Sequence, residues 1–257
     1  MFEMTEKWRL LLTGANTAAR NMAIDRAVLV ANSNGKVPPT VRFYFWKPSA
    51  ISIGYFQSLE DEVDLANCND FNVDYVRRIT GGGAVFHEDE LTYSIVIPES
   101  HKEISKNIIE SYGRICGAVM NGLNNLGIKS EYKPINDIIA NGKKISGNAQ
   151  TRKMKTVLQH GTIIMDVNPE KMFSLLKVPN EKIKDKLIAD VKERVTSIRH
   201  IKRERISFDK VAMAMKKGFE DEFKVKLVKG SLTDEEKELT DKFERECFGS
   251  KEWNHKR

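Results

Sequence analysis

The sequence contains few cysteines, and none of them is spaced for a metal site or a redox pair. Its 257 residues include only Cys68, Cys116 and Cys247, which lie far apart in the chain. Three isolated cysteines without a C-x-x-C pair argue against a disulfide framework, a thiolate zinc site and a thioredoxin-like redox site. The pattern is typical of a reduced, intracellular protein, and we expect the chain to be cytoplasmic.

Long apolar runs are also missing. No stretch approaches the roughly 20 apolar residues that a membrane-spanning helix needs. The first residues show no charged segment followed by an apolar one, which a secretory signal would require. We therefore expect neither a signal peptide nor a membrane partner.

Neither sign of charge dominates the composition. Lys and Arg number 42 against 36 Asp and Glu, which leaves a formal net charge of +6. This excess is too small to predict nucleic-acid binding, although it offers basic surface to an acidic partner or a nucleotide. The 40% hydrophobic content supports a sizeable core, so we expect a globular protein.

The most informative stretch has the sequence RRITGGGAVFH and runs from Arg77 to His87. Segments typical of strands precede it at Val73–Val76 and follow it at Thr92–Ile97, so its three glycines lie in a connection between strands. Glycine can adopt positive φ and bring its backbone N–H close to an anion, and two arginines just before the glycines add positive charge. The stretch therefore predicts an anion-binding loop, and a glycine-rich turn exposed to solvent is the alternative.

A long amphipathic helix is predicted after the second of these strands, with Ser105 as its N-cap. Its apolar residues recur at spacings of three and four; they are Ile108, Ile109, Tyr112, Ile115, Cys116, Val119, Leu123 and Leu126. Cys116 falls on this apolar stripe, where a reactive thiol would have neither a basic neighbour nor solvent access. We therefore expect Cys116 to be a core residue.

A second informative stretch contains Asn141-Gly142, a strong signal for a two-residue hairpin turn. The signal predicts antiparallel pairing of Asp137–Ala140 with Lys144–Ala149. Lys144 would then lie near a strand end, where a side chain turned inwards beside Asn136 could bind a phosphate or carboxylate. A solvated lysine at the sheet edge is the alternative.

A further strand is predicted over Val157–Met165, interrupted at His160-Gly161. A histidine in such a position is more often a structural hydrogen-bonding residue than a catalyst. The glycine permits close approach of another group to the backbone.

Together these stretches resemble the lipoate-protein ligase A and octanoyltransferase family, part of the biotin/lipoate ligase superfamily. The resemblance rests on RRxTGGGAVFH at 77–87, GKKISGxAQ at 142–150 and QHG at 159–161, and it extends from about Trp8 to Asn254. It implies an α+β fold in which a mixed, largely antiparallel β-sheet is flanked by helices. It also implies a single catalytic domain over 1–257, with a C-terminal helical segment over 230–257 and no accessory domain.

The resemblance implies an ATP-dependent lipoate-protein ligase. In such ligases the carboxylate of lipoate attacks the α-phosphate of ATP, and the lipoyl group of the resulting lipoyl-AMP passes to a lysine of a lipoyl domain. Lys144 matches the lysine that contacts both the acyl carbonyl and the phosphate, and it is the expected catalytic residue. We expect ATP and Mg²⁺ as cofactors and lipoate as substrate, with a dehydrogenase E2 subunit or a glycine-cleavage H-type carrier as acceptor.

The resemblance also assigns a set of substrate- and nucleotide-binding residues. They are Arg78, Thr80, Gly81, Gly82, Gly83, Ala84, Val85, Phe86, Asn136, Asp137, Gly147 and His160. Asp137 is the one candidate metal ligand, acting on Mg²⁺ that arrives with the nucleotide.

Octanoyltransferase is the alternative within the family, and a non-catalytic lipoyl-binding subunit is the alternative outside the enzymes. The segments at 8–11, 21–23 and 149–152 resemble the cysteine-dependent transferases, which move an octanoyl group from acyl carrier protein through a thioester. That branch carries its nucleophile in an extended loop before the strand that here begins at Asp137, where this chain has a short connection, 129–134, without cysteine. Gly83 also favours the ligase, because the transferases tend to place arginine in the glycine triplet.

The remaining expectations concern partners and the C-terminal segment. The chain resembles two-component ligases, so we expect that adenylation needs a separate accessory subunit. Thr233–Glu236 forms a capping-box sequence that predicts a terminal helix. Lys177–Arg205 is rich in lysine and arginine, and we expect it to form a helical surface that docks the acidic face of a lipoyl domain.

Overall fold

The computed structural model describes residues 5–177 and 181–257, which form eleven strands, ten α-helices and one π-helical turn. The strands are β1 Lys7–Asn16, β2 Thr40–Trp46, β3 Ala50–Ile53, β4 Asp74–Arg77, β5 Val85–His87, β6 Glu90–Pro98, β7 Glu131–Lys133, β8 Asp137–Ala140, β9 Lys143–Lys153, β10 Thr156–Ile164 and β11 Lys226–Lys229. The helices are α1 Ala18–Ser33, α2 Leu59–Glu62, α3 Leu65–Asp70, α4 Ile108–Asn125, α5 Pro169–Leu175, α6 Glu181–Arg194, α7 Ile198–Lys202, α8 Phe208–Phe223, α9 Asp234–Phe243 and α10 Lys251–Asn254, with the π-helical turn at Glu244–Phe248.

Eight of the strands form one mixed sheet in the order β11-β1-β2-β6-β10-β9-β8-β7. β1 runs parallel to both of its neighbours, whereas every pair from β2 to β7 is antiparallel. The remaining strands form a small sheet in the order β4-β3-β5. The predicted fold class, α+β with a mixed and largely antiparallel sheet flanked by helices, is confirmed.

Helices cover both faces of the large sheet because side chains alternate along each strand. On β2, Val41 and Phe43 belong to the core shared with α4 and α8, whereas Tyr44 and Trp46 belong to the core shared with α1. Polar side chains also project from the α1 face, among them Arg42. The site described below lies on this second face.

The long helix after β6 is α4, and Cys116 lies in its buried stripe as expected. The predicted start of this helix, with Ser105 as its N-cap, is wrong. Asn107, not Ser105, accepts the capping hydrogen bonds, and Ile108 and Ile109 are 56% and 51% exposed. Apolar periodicity alone cannot decide which residues of a first turn reach the core, since the direction of the incoming chain decides it.

The predicted hairpin is present as β8 and β9, with Asn141 and Gly142 at φ 51° and 75°. The predicted break at His160-Gly161 is wrong, because β10 pairs with β6 and β9 across both residues without a gap.

The predicted capping box also forms, with Thr233 and Glu236 bonding each other's backbone N–H groups at the start of α9. Glu236 in addition receives two hydrogen bonds from the Arg9 guanidinium, at 2.5 and 2.7 Å, and so anchors α9 to β1.

The lysine- and arginine-rich stretch forms α6 and α7, while 178–180 lie outside the described residues. Over residues 5–177 and 181–257, no helix combines the length and apolar composition that crossing a bilayer requires.

Candidate functional site

A cavity of about 660 Å³ opens between the connection from β4 to β5, the start of β9, the end of β10 and the segment that leads into α5. It is lined by most of the residues that the sequence predicted, namely Arg78, Gly82, Gly83, Ala84, Val85, Phe86, Asn136, Lys144, Gly147 and His160. The predicted residues Thr80, Gly81 and Asp137 are not among the residues that line it. The structure therefore brings the two informative stretches together around one cavity of a size that suits a small-molecule ligand.

Lys144 points into this cavity rather than away from the sheet. A β-bulge interrupts the pairing of β8 with β9 at this point, since Ile138 faces Ser146 while Ile139 faces Lys144. Bulges re-aim the neighbouring side chains. The lysine side chain lies across Gly147, where a Cβ atom would come within 2.8 Å of Lys144 Cε.

The ammonium of Lys144 pairs with the carboxylate of Asp137 across the hairpin. Lys144 Nζ and Asp137 Oδ1 are 2.7 Å apart, although Asp137 Oδ1 accepts no hydrogen bond of normal geometry from the described residues. The two side chains are 39% and 33% exposed, and of the two only Lys144 lines the cavity. The pair thus places one cation in the cavity lining with one carboxylate beside it.

The glycine loop, residues 80–84, is held in a shape that only glycine allows at one position. Gly82 has φ +99°, and a Cβ atom on the neighbouring Gly54 would lie 1.9 Å from Gly82 O. Hydrogen bonds from the backbone N–H groups of Gly82, Gly83 and Ala84 are not found among the described residues. Free amides on a tightly packed loop are suited to binding an anion.

Arg78 holds this loop from inside the protein. Its guanidinium donates to Gly81 O at 2.9 Å and Gly83 O at 2.8 Å, and also to the backbone carbonyl and hydroxyl of Ser52. Burial lowers the pKa of Arg78 to about 10. Its predicted contact with a nucleotide stays a prediction, whereas its role in shaping the loop is visible.

Arg77 is not surface charge either. It is fully buried, and its guanidinium donates to the backbone carbonyls of Tyr55, Trp253 and Asn254 at 3.1, 3.1 and 2.8 Å. Both arginines direct donors at carbonyl groups of the chain but keep their charge, and Arg78 lines the cavity, so the expected positive charge beside the loop stays a prediction.

His160 is a buried hydrogen-bonding residue at the back of the cavity. Its Nε2 lies 2.7 Å from Thr80 Oγ1, and its Nδ1 lies 3.2 Å from Asp25 Oδ2. Burial lowers the pKa of His160, although the Asp25 carboxylate acts in the opposite direction. Thr80 is fully buried and contacts the histidine rather than the cavity.

Sequence reasoning missed Asp25. Arg42 NH1 donates to Asp25 Oδ1 at 2.7 Å. Desolvation alone would raise the pKa of Asp25. The charges and hydrogen bonds of Arg42 and His160 outweigh it, so the pKa of this carboxyl group lies below its ordinary value. The signal was present, since a single carboxylate inside the apolar stretch Met22–Leu29 must be paired if that stretch is buried.

None of the three cysteines, all of which lie in the described part of the chain, lines the cavity. Burial raises the pKa of Cys116 to about 12 and that of Cys68 to about 11. Desolvation also raises the pKa of Cys247, more than the nearby Arg26 lowers it. All three are buried thiols without the low pKa of a nucleophile.

The acidic residues at the mouth of the cavity are paired with basic ones. Asp89 bonds Arg205 at 2.7 Å and Asp166 bonds Arg199 at 2.6 Å. No group of three potential metal ligands occurs in 5–177 and 181–257. A lone carboxylate such as Asp137 fits Mg²⁺ only when phosphates and water supply the other ligands, so the predicted metal contact stays a prediction.

The protein-family model of the lipoyl protein ligase A/B catalytic domain matches residues 17–220. This chain belongs to that family. The family resemblance predicted from the sequence motifs is thus confirmed.

Curated relatives of this family member include the octanoyltransferase LipM of Brevibacillus brevis, which is 36% identical over 98% of this chain and 100% of the relative. The octanoyltransferase LipM of Clostridioides difficile is 38% identical over 98% and 99%. The first alignment runs over 275 positions although this chain has 257 residues, so part of that relative has no counterpart here.

Solved structures similar to this family member include lipoate-protein ligases. A bi-partite lipoate protein ligase from Thermoplasma acidophilum, studied with its E2 lipoyl domain, has a TM-score of 0.89 and 29% identity, covering 97% of this chain and 96% of that chain. A lipoate-protein ligase A bound with ATP has a TM-score of 0.83 and 28% identity, covering 97% and 98%.

Proposed function

We propose that this chain is a lipoate-protein ligase, which activates lipoate with ATP and transfers the lipoyl group to a lysine of a lipoyl domain. One observation carries the proposal. The cavity offers a cation and free backbone amides to two anions, but no cysteine lines it. An adenylate route uses the first two features and needs no nucleophilic side chain.

The first step brings together two groups that repel each other. A carboxylate oxygen of lipoate bonds to the α-phosphorus of ATP, and the bond from that phosphorus to the pyrophosphate breaks. Lys144 lines the cavity, and a cation between the two anions would lower their repulsion. The amides of Gly82, Gly83 and Ala84 would bind phosphate oxygens, and Mg²⁺ would supply further positive charge on the phosphates.

The second step is attack by an amine on the activated acyl carbon. The lysine nitrogen of the lipoyl domain bonds to this carbon, AMP leaves, and the amine proton passes to solvent. Negative charge grows on the acyl oxygen during the attack, and the ammonium of Lys144 stabilises it. Asp137 pairs with this ammonium at 2.7 Å and so fixes its position.

The solved structures support this proposal, since the two similar ones described above are ligases and one of them holds ATP. The T. acidophilum ligase is bi-partite. By analogy, adenylation by this chain would need a separate accessory subunit, while transfer from preformed lipoyl-AMP would not.

Octanoyltransferase is the second candidate, and the curated relatives favour it over the ligase. Both relatives described above carry that name at 36% and 38% identity over nearly the whole chain. Such a transferase would need no ATP. It would require either a nucleophile for the acyl group or direct transfer between two carrier proteins at one cavity, and the three buried thiols do not provide the nucleophile.

Intact-mass analysis of a lipoyl domain separates the candidates. The domain is incubated with this chain and one of three donors: lipoate with ATP and Mg²⁺, preformed lipoyl-AMP, or octanoyl acyl carrier protein without ATP. Lipoylation in the first or second mixture supports the ligase, and success in the second alone supports the accessory subunit. Octanoylation in the third mixture alone makes the chain a transferase, and no modification in any mixture leaves a lipoyl-binding subunit.

A thiol test accompanies the three mixtures. Replacing Cys68, Cys116 and Cys247 with alanine should leave acylation by the ligase within about threefold of the native rate, because small buried thiols contribute packing and no chemistry. If replacing any one of these cysteines abolishes acylation while the variant still folds, the chain uses a thioester route instead.

A further inference from the structure

Two buried series of hydrogen bonds converge on the glycine loop, and each runs from a carboxylate through a histidine to a hydroxyl group. In the first, Asp25 Oδ2 lies 3.2 Å from His160 Nδ1 and His160 Nε2 lies 2.7 Å from Thr80 Oγ1. All three residues are less than 10% exposed. The chain joins α1 to the residue that immediately precedes Gly81.

The second chain joins β6 to the other side of the loop. Glu90 Oε1 lies 2.8 Å from His87 Nδ1, and His87 Nε2 lies 2.7 Å from Ser52 Oγ. Ser52 Oγ also accepts a hydrogen bond from Arg78 NH1 at 3.0 Å. Arg78 in turn donates to the carbonyls of Gly81 and Gly83. This second series of hydrogen bonds therefore reaches the loop through the Arg78 guanidinium.

The donors and acceptors fix one direction along each chain. A carboxylate only accepts hydrogen bonds, so Nδ1 of each histidine carries the proton and Nε2 accepts one from the hydroxyl. The carboxylates are themselves held, because Ser94 and Tyr44 donate to Asp25 and Thr92 donates to Glu90. Each histidine is therefore fixed in one tautomer and one orientation.

We propose that His87 and His160 are positioning residues, which hold the glycine loop with its amides open to an anion by orienting the hydroxyls of Ser52 and Thr80. The identity of that anion rests on the proposed function, but the holding of the loop does not. Ser52, His87 and Glu90 also have the order of a nucleophile, a base and an acid. Ser52 is only 1% exposed and its oxygen is shared with Arg78, so its place is that of a support.

The test exploits the two ends of the histidine ring. An asparagine amide reaches the position of Nδ1 and keeps the carboxylate contact, whereas a glutamine amide reaches the position of Nε2 and keeps the hydroxyl contact. We expect His160→Asn and His87→Asn to free the loop, and His160→Gln and His87→Gln to restore much of its order. Thr80→Val should act like the asparagine variants, and Thr80→Ser should restore the contact.

The readouts are backbone hydrogen–deuterium exchange in Gly81–Ala84 and calorimetric binding of ATP. Loss of one such hydrogen bond should speed exchange and weaken binding about tenfold, with melting temperature and exchange in α4 and α8 largely retained. Ser111→Ala is the matched control, because Ser111 is another fully buried serine whose hydroxyl contacts Gln150 rather than the loop.

Unchanged loop exchange in both Thr80→Val and Ser52→Ala would overturn the proposal, as would asparagine variants that behave like the glutamine ones. A covalent acyl group on Ser52 after incubation with an activated octanoyl ester would also overturn it and make the serine a nucleophile. If the native chain binds neither ATP nor lipoyl-AMP, the proposed function fails, and the exchange data still decide whether the histidines hold the loop.

Discussion

Lys144 Nζ lies 2.7 Å from Asp137 Oδ1, and the two residues belong to neighbouring strands of one hairpin. The bulge opposite Ile138 and the absence of a side chain at Gly147 allow this approach. A cation held by one carboxylate, and otherwise directed at a cavity, can exchange part of that contact for a more highly charged ligand.

Removing the ammonium of Lys144 should abolish most of the acylation activity. We expect Lys144→Ala and Lys144→Gln to lower the rate of lipoyl-domain acylation about 10²- to 10³-fold, the usual cost of losing one group that stabilises a developing oxyanion. Lys143→Ala is the control, since Lys143 is the adjacent lysine and its Nζ contacts the backbone of Lys192 instead of the cavity. Equal rates for the native chain and Lys144→Ala would contradict the assigned role.

A methyl group at Gly54 should displace the glycine loop. In Gly54→Ala the new Cβ would meet Gly82 O at 1.9 Å, which is too close to a backbone atom to be accommodated without movement. We expect ATP binding to be lost and the free energy of unfolding to fall by about 1–3 kcal/mol, measured by calorimetry and urea denaturation. Gly113→Ala should do neither, because its Cβ would make an ordinary 3.5 Å contact with Tyr132.

The sequence predicted the parts of this site that depend on neighbours in the chain. Asn141-Gly142 specifies its hairpin locally, and that turn places Lys144 opposite the strand that begins at Asp137. The glycine triplet likewise predicts a loop wherever it occurs in a fold. Such features need no knowledge of the tertiary structure, because backbone sterics and turn geometry decide them.

The supports of the loop could not be predicted in this way. Asp25 and His160 are 135 residues apart in sequence, and Ser52 meets His87 across the pairing of β3 with β5. A serine in a short strand carries no local signal for such a contact. The burial of both arginines before the loop was also hidden, since an arginine surrounded by carbonyl groups and an arginine on the surface look alike in a sequence.

Acid should destabilise the protein partly through His160. Its pKa is lowered in the folded state, with burial as the largest cause and the positive charge of Arg78 adding to it, while Asp25 opposes. The unfolded chain then binds more protons than the folded chain between the lowered pKa and about 6.5. The resulting stability is fully present above about pH 6.5 and is lost as the pH falls towards the folded-state pKa.

Urea denaturation at several pH values should reveal this dependence of stability on pH. The free energy of unfolding of the native chain should fall from pH 7.5 to pH 5, and His160→Gln, which cannot titrate, should have a smaller slope. Because Asp25 titrates at still lower pH, its contribution should stay constant over this range. Identical slopes for the two proteins would rule out His160 as the titrating group.

Reversing charge beside the cavity should weaken acceptor docking and leave activation intact. Arg194 at the end of α6 and Arg203 after α7 are exposed, and Val191, Val195 and Arg205 nearby line the cavity, so an acceptor that delivers its lysine must approach this surface. In Arg194→Glu/Arg203→Glu we expect a raised KM for an acidic lipoyl domain, most clearly at low ionic strength because salt screens exposed charges. ATP–pyrophosphate exchange dependent on lipoate, measured with any accessory subunit present, should be unchanged.

Lys242→Glu on α9 adds the same kind of charge on another surface and should leave KM unaffected. If the double variant also retains the native KM, the acceptor docks elsewhere.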